Sequence, residues 1–158
     1  MARLAWALGA TVGAVVLAVG VAWTDPGRRR SSVPAGRSVA GGLLVLLGLA
    51  LRLWATWAFW RHGGGTPLPP LQPRRLVAAG PYRHSRNPLY LGWLAIWVGA
   101  GLFAGSPRLL GAAAALSLLL ERFEVPWEER GLRRRFGDEY DGYRRRVPRW
   151  LRLGSFHA

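Results

Sequence analysis

The chain has 158 residues, 51% of them hydrophobic, and its 22 basic residues, all Arg, far outnumber its 8 acidic ones. It contains no Cys, which excludes a disulfide framework, thiolate metal sites and cysteine nucleophiles. A net charge of +14 would suit a nucleic-acid binder, but the arginines flank long apolar runs and do not cover a globular surface. This separation of apolar runs from Arg-rich connectors predicts an integral membrane protein.

Four apolar runs follow one another along the chain: residues 4–23, 39–60, 89–105 and 109–120. About 20 residues cross the hydrocarbon core of a bilayer, so the first two runs have the length of a full span. The last two are short and closely joined, which predicts a tight helical hairpin whose second helix continues through residues 121–124. We therefore expect an all-α membrane bundle of about four transmembrane helices, followed by an amphipathic cytoplasmic segment.

Two of these runs leave alternatives open. The first run follows Arg3, so a cleaved signal peptide is the alternative to a membrane span, although the run is long for one. The second run contains a single charge, Arg52, which we expect to snorkel toward the interface. A partner for Arg52 within the bundle is the alternative.

The arginines predict the orientation of the bundle. Residues 61–87 hold five arginines and the tail from residue 122 holds ten, whereas the connectors on the opposite side hold five in total. The positive-inside bias then places both termini and the tail in the cytoplasm, with Arg28–Arg30 on the unfavourable side. The use of Arg without Lys is typical of a GC-rich genome, so we expect a bacterial plasma membrane.

The segment before the third run has features of an anion site. Asn87 and Pro88 are suited to the N-cap and first positions of a helix, and the free amides of that first turn attract anions. Arg83 and Arg86 add positive charge nearby. The alternative is an ordinary capped membrane helix whose arginines contact lipid headgroups.

Four of the eight acidic residues lie within nine positions just past the fourth run: Glu121, Glu124, Glu128 and Glu129. Ion pairs with Arg122, Arg130 and residues 133–135 are one explanation for them. A cationic group of a ligand is the other, and with the basic loop it would suit a zwitterionic ligand. The three histidines are isolated, so no metal site is predicted.

The tail at residues 126–150 carries one apolar stripe at helical spacing, formed by Leu132, Phe136, Tyr140, Tyr143 and Val147. Gly137 is expected to break this segment into two short helices. Because two clusters of three arginines flank the stripe, the tail is typical of a basic amphipathic helix on an anionic membrane surface.

Two stretches resemble motifs of one family. Residues 80–92, GPYRHSRNPLYLG, resemble the G-P-Y-x-x-x-R-H/N-P-x-Y-x-G signature of integral-membrane methyltransferases, which comprise isoprenylcysteine carboxyl methyltransferases and related phospholipid methyltransferases. Residues 128–148 resemble the second motif of the same family. The resemblance covers residues 76–150, the methyltransferase-like core of a single membrane domain of residues 1–158. Residues 1–60, with the first two spans, carry no signature.

The resemblance implies S-adenosylmethionine as the methyl donor and assigns roles to the charged residues of both motifs. The donor's carboxylate would bind at Arg86 and at the helix start formed by Asn87 and Pro88. Its ammonium group would bind Glu128 or Glu129. Asn87 stands where the family usually has His, and its amide cannot titrate, which argues against a proton shuttle at this position.

The remaining implications concern the adenine ring and the acceptor. Tyr82 or Tyr90 would stack on adenine, and Arg122 is a weaker candidate for orienting an anionic acceptor. The acceptor is expected to be a lipid or prenyl-like molecule that enters from the bilayer, with O, N or S as its nucleophile. A non-catalytic lipid-binding or scaffold protein is the rival interpretation, and four short spans leave little room for a transport pathway.

Overall fold

The structure, a computed structural model, describes residues 33–64 and 74–151, together with residues 13, 16, 20, 21 and 24–26. Most of the predicted first span and the Arg28–Arg30 cluster lie outside the described residues. The described part of the chain consists of helices and turns and contains no strand, which confirms the all-helical class.

Four helices, labelled here α1 to α4, account for most of the described residues. Two π-helical turns, Phe59–Gly63 and Leu120–Glu124, continue α1 and join α3 to α4 without a break. The bounds of the four are Ala35–Ala58, Pro88–Ala104, Pro107–Leu119 and Val125–Arg146. The second, third and fourth apolar runs are thus helices, and the fourth continues through residues 121–124 as predicted.

By length and composition, one helix among the described residues could cross a membrane. It is α1 together with its π-helical turn, Ala35–Gly63, with 29 residues. Large apolar side chains of this helix, such as Leu43, Leu47 and Trp57, are exposed over half or more of their surface. An exposed apolar face of this extent suits contact with lipid. Helix α2 is also apolar but shorter, and the arrangement of four spans stays a prediction.

Helices α1 and α2 pack backbone against backbone through four glycines. A Cβ atom built on Gly48 of α1 would lie 2.7 Å from the Gly92 carbonyl oxygen of α2. A Cβ atom on Gly99 would likewise lie 2.7 Å from the carbonyl oxygen of Gly41. These pairs run in opposite directions along the two helices, which are therefore antiparallel. Small residues at such a crossing allow the close approach that stabilises membrane helix pairs.

Arg52 does not snorkel to the interface. It is 8% exposed, its Nη1 donates to the Leu89 carbonyl oxygen at 3.1 Å, and its guanidinium lies 5.2 Å from the ring centre of Trp93. Gly92 makes room for it, since a Cβ atom there would lie 2.6 Å from the Arg52 Cγ. The snorkelling prediction is wrong, because a close glycine contact opens a place for the arginine against α2.

The hairpin between α2 and α3 is tight, as predicted. Gly105 ends α2 with a φ of 62°, and the Ser106 Oγ accepts a hydrogen bond from Leu109 N at the start of α3. The Ser106 hydroxyl donates to the buried carboxylate of Asp25, which also accepts from Arg108 N at 3.2 Å. Asp25 therefore lies at the hairpin end of the bundle.

Helix α4 is bent at Gly137, as predicted, where φ is 51°. In a straight helix, two positions eight residues apart would be separated by a rise of about 12 Å. The bend brings the side chains at two such positions together, since Arg133 Nε lies 3.1 Å from Asp141 Oδ2.

The apolar stripe of α4 packs on the protein itself. Tyr140, Tyr143 and Val147 are buried as one cluster, and Leu76 from the segment before α2 packs against them. The stripe is thus not the lipid-facing surface that the sequence predicted, because the chain folds back onto it. Most arginines of α4 stay exposed.

Gly48→Ala should lower the free energy of unfolding by about 1–3 kcal/mol, because the added methyl group has no room against the α2 backbone. Gly111→Ala is the matched control in α3, where an added Cβ meets nothing within 4 Å. It should be neutral or stabilising by about 0.5–1 kcal/mol through helix propensity. Thermal unfolding in detergent measures both. A Gly48→Ala protein that melts at or above the wild-type temperature would contradict the packing.

Candidate functional site

Polar groups gather at the end of the bundle where α2 begins. The 3-10 turn Gly80–Arg83 and the following loop lead into α2, and α4 passes beside them. The Tyr143 hydroxyl of α4 donates to the Tyr82 carbonyl oxygen at 2.8 Å, so the contact between the two elements is direct. The fold therefore brings the two sequence motifs together, because the hairpin of α2 and α3 returns the chain to the loop before α2.

One carboxylate, Glu129, holds two arginines. Arg86 Nη1 lies 2.6 Å from Glu129 Oε1, and Arg149 Nη2 lies 2.8 Å from Glu129 Oε2. The Arg149 guanidinium also reaches Glu121 Oε1 at 2.9 Å, and its pKa is raised mainly by the hydrogen bond to Glu129. The side chains of Arg86 and Glu129 are 12% and 11% exposed, so this pair is shielded from screening by water and salt.

The loop before α2 is tied to the end of the tail. Asn87 Nδ2 donates to the Arg149 carbonyl oxygen at 3.0 Å, and Arg86 N donates to the Pro148 carbonyl oxygen at 3.0 Å. Asn87 stands at the N-cap position, but its side chain makes no capping hydrogen bond. The prediction of a side-chain cap is therefore wrong, because the amide is used in a tertiary contact. Pro88 occupies the first helical position, as predicted.

Glu128 is a half-buried carboxylate without an arginine partner among the described residues. Its Oε2 accepts a hydrogen bond from the Tyr90 hydroxyl at 3.1 Å. Burial raises the pKa of Glu128 above its ordinary value of 4.5; the Tyr90 hydrogen bond opposes this, and the charges of Glu124 and Glu129 add to it. A cation placed here would stabilise the ionised form.

Two buried polar groups beside these carboxylates have no hydrogen-bond partner within the described part of the chain: the Tyr82 hydroxyl and Arg86 Nε. Burial raises the pKa of Tyr82, and the charge of Glu128 adds to the effect. The Tyr82 ring packs edge-on against Phe59 at 5.0 Å and is 5% exposed. Of the two tyrosines predicted to stack on a ring, Tyr90 is thus the more accessible.

The structure also separates some residues that the sequence placed at the site. Arg122 is exposed on the π-helical turn, and its side chain forms no hydrogen bond or ion pair with any described residue, although its charge helps to lower the pKa of Glu121. The arginines expected to pair with the glutamates, Arg122 and Arg130 among them, are replaced by Arg86 and Arg149. The role of Arg149 was missed, because no spacing rule connects it to a glutamate twenty positions earlier. The described residues contain no cluster of His, Cys, Asp and Glu that could hold a metal ion.

Comparison with known proteins identifies relatives of the chain. A model of the phospholipid methyltransferase family matches residues 37–139, which extends the resemblance into α1. Probable protein-S-isoprenylcysteine O-methyltransferases from the indica and japonica subspecies of Oryza sativa are each 37% identical over 76 residues, covering 46% of this chain and 38% of theirs. An uncharacterized protein of Haemophilus influenzae is 33% identical over 63 residues, covering 40% of this chain and all of its own. No solved structure matches the chain.

Glu129→Gln and Glu128→Gln should differ in their effects on the free energy of unfolding. Glu129→Gln leaves Arg86 and Arg149 facing a neutral amide and should cost roughly 1.5–3 kcal/mol. Burial raises the pKa of Glu128 in the folded state. The stabilising contribution of this group is therefore present below pH 4.5 and is lost as the pH rises through the folded-state pKa. Glu128→Gln removes this carboxylate. Near neutral pH this variant should therefore be as stable as the wild type or more stable.

Thermal unfolding across a pH series measures both variants. Equal destabilisation by the two substitutions near neutral pH would contradict the different environments assigned to the two carboxylates.

Proposed function

We propose that this chain transfers a methyl group from S-adenosylmethionine to a lipid or prenyl-like acceptor. The chain belongs to the phospholipid methyltransferase family, because that family's model matches well over half of its length. The 76-residue match to the probable methyltransferases of rice covers 38% of the length of those proteins. The activity, donor and acceptor are therefore inferred from the family together with the site.

The observation that carries the proposal is a pair of incompletely satisfied groups of opposite charge. Arg86 has a buried Nε without an acceptor, while Glu128 is a half-buried carboxylate without a cationic partner among the described residues. The methionine part of S-adenosylmethionine carries a carboxylate and an ammonium group. Binding the carboxylate at Arg86 and the ammonium at Glu128 would satisfy both, because charge-assisted hydrogen bonds are strongest where water is excluded.

The two adjacent glutamates then have different roles. Glu129 already holds two arginines, so it acts as part of the framework that positions Arg86. Glu128 accepts a hydrogen bond from the hydroxyl of Tyr90, which orients its carboxylate toward the donor.

The other motif residues support the site. Asn87 and Pro88 contribute by fixing the loop and the start of α2. Half-buried Tyr90 is the residue placed to contact adenine, since Tyr82 is packed against Phe59.

S-adenosylmethionine supplies a methyl group on a positively charged sulfur, so the protein has to align donor and acceptor and exclude water. This chain's residues suit that task better than acid–base catalysis, because Asn87 cannot titrate. The acceptor would enter from the bilayer past the exposed apolar surface near Phe123 and Trp127. Arg122, exposed in the same region, would orient an anionic acceptor.

The proposed setting is a membrane bundle of four spans with both termini and the site on the cytoplasmic face of a bacterial plasma membrane. Support comes from the long apolar helix and from the exposed arginines of α4, the helix that carries the two glutamates of the site. Arginines in such a position attract anionic lipid headgroups, and each contributes about 1 kcal/mol near a charged surface.

Glu128→Gln should weaken the binding of S-adenosylmethionine by about ten- to a hundredfold, because one charge-assisted hydrogen bond is lost. Glu139→Gln is the matched control, since Glu139 is an exposed acid on the same helix. Calorimetric titration of the detergent-purified protein measures both. Unchanged affinity in Glu128→Gln would remove this residue from the donor site, and no binding by the wild type would favour a non-catalytic membrane protein.

A further inference from the structure

Residues 148–150, called the strap here, lie against the loop that precedes α2. The strap follows the end of α4 and falls outside the segment that matches the family model. Its carbonyl oxygens accept hydrogen bonds at 3.0–3.1 Å from three donors of the loop: Arg86 N, Ser85 Oγ and Asn87 Nδ2. The backbone of the strap therefore fixes the loop that carries Arg86.

The side chains of the strap bind two glutamates. Arg149 donates to Glu129 through Nε at 3.2 Å and Nη2 at 2.8 Å, and to Glu121 through Nη1 at 2.9 Å. Trp150 Nε1 donates to Glu121 Oε2 at 2.5 Å. Since Glu121 lies in the π-helical turn and Glu129 in α4, the strap connects both elements to the loop before α2.

The guanidinium groups of Arg149 and Arg86 share the carboxylate of Glu129 unequally. Arg149 engages both oxygens of Glu129, and Arg86 reaches only Oε1 through Nη1. The Nε of Arg86 stays buried and unpaired among the described residues. Without Arg149, Oε2 would be open, and Arg86 could turn to form the bidentate pair that guanidinium and carboxylate groups favour.

We propose that Arg149 is a positioning residue for donor binding, which keeps Arg86 in a one-oxygen contact with Glu129 so that its Nε can bind the donor's carboxylate. The inference rests on the proposed function, because it takes S-adenosylmethionine as the donor. Arg149 acts through Glu129 and Arg86 and does not itself touch the donor.

Arg149→Gln should raise the Kd for S-adenosylmethionine roughly tenfold or more, because the donor's carboxylate loses its partner. Decarboxylated S-adenosylmethionine lacks that carboxylate, so its Kd should change little. Arg149→Lys keeps the charge but not the fork, and it should give an intermediate loss. Arg145→Gln is the control, because Arg145 is exposed on α4.

Calorimetric titrations of the detergent-purified full chain with both compounds, paired with melting temperatures, test the proposal. A loss specific to S-adenosylmethionine supports it. Equal losses for both compounds, or unchanged affinities with or without a lower melting temperature, overturn it in favour of a purely structural strap. If Arg149→Gln does not fold, wild-type affinity in Arg149→Lys overturns it. A wild type that binds neither compound refutes the proposed function, and this inference with it.

Discussion

The pairing of Arg86 and Arg149 with the carboxylate of Glu129 is the interaction on which the rest of the site depends. It joins α4 to the loop before α2 through Arg86 and to the end of the tail through Arg149. Because the pair with Arg86 is largely buried, breaking it would leave a charge without compensation, which costs far more than the loss of an exposed ion pair. The two family motifs are thus held together by a charge network and by the hydroxyl contact of Tyr143.

The glycine crossing of α1 and α2 supports this network from the other side. Gly92 makes room for Arg52, and Arg52 binds the Leu89 carbonyl oxygen in the first turn of α2. That turn also carries Tyr90, which binds Glu128. Packing between two apolar helices therefore fixes the position of a polar group at the site, which explains how a bundle with an exposed apolar surface can hold a precise arrangement of charges.

Local chemistry in the sequence predicted the elements better than their contacts. Apolar run length and turn residues located α1, α2, α3 and the bend at Gly137. A partner for Arg52 within the bundle was only the alternative prediction, and the space beside Gly92 was missed, since both depend on which helix face meets a neighbour. The side-chain amide of Asn87 could either cap the helix that follows it or form a hydrogen bond with the distant tail, and sequence spacing favours the cap. The pairing of Arg149 with Glu129 likewise follows from the folded path of the tail.

The separation of roles between the two glutamates connects the fold to the proposed chemistry. Glu129 is satisfied by the protein, whereas burial destabilises the ionised form of Glu128, an effect that a bound cation would offset. Buried ionisable groups of this kind, whose charged form is unfavourable to the fold, are typical of functional sites.

The most direct test of methyl transfer uses the purified protein in vesicles made from bacterial lipid extract, supplied with S-adenosylmethionine labelled in its methyl group. We expect label to appear in the lipid fraction with the wild type and to fall strongly with Glu128→Gln, while Glu139→Gln retains the wild-type rate. Label that stays entirely in the aqueous fraction, from a wild-type protein that binds the donor, would contradict transfer to a lipid acceptor.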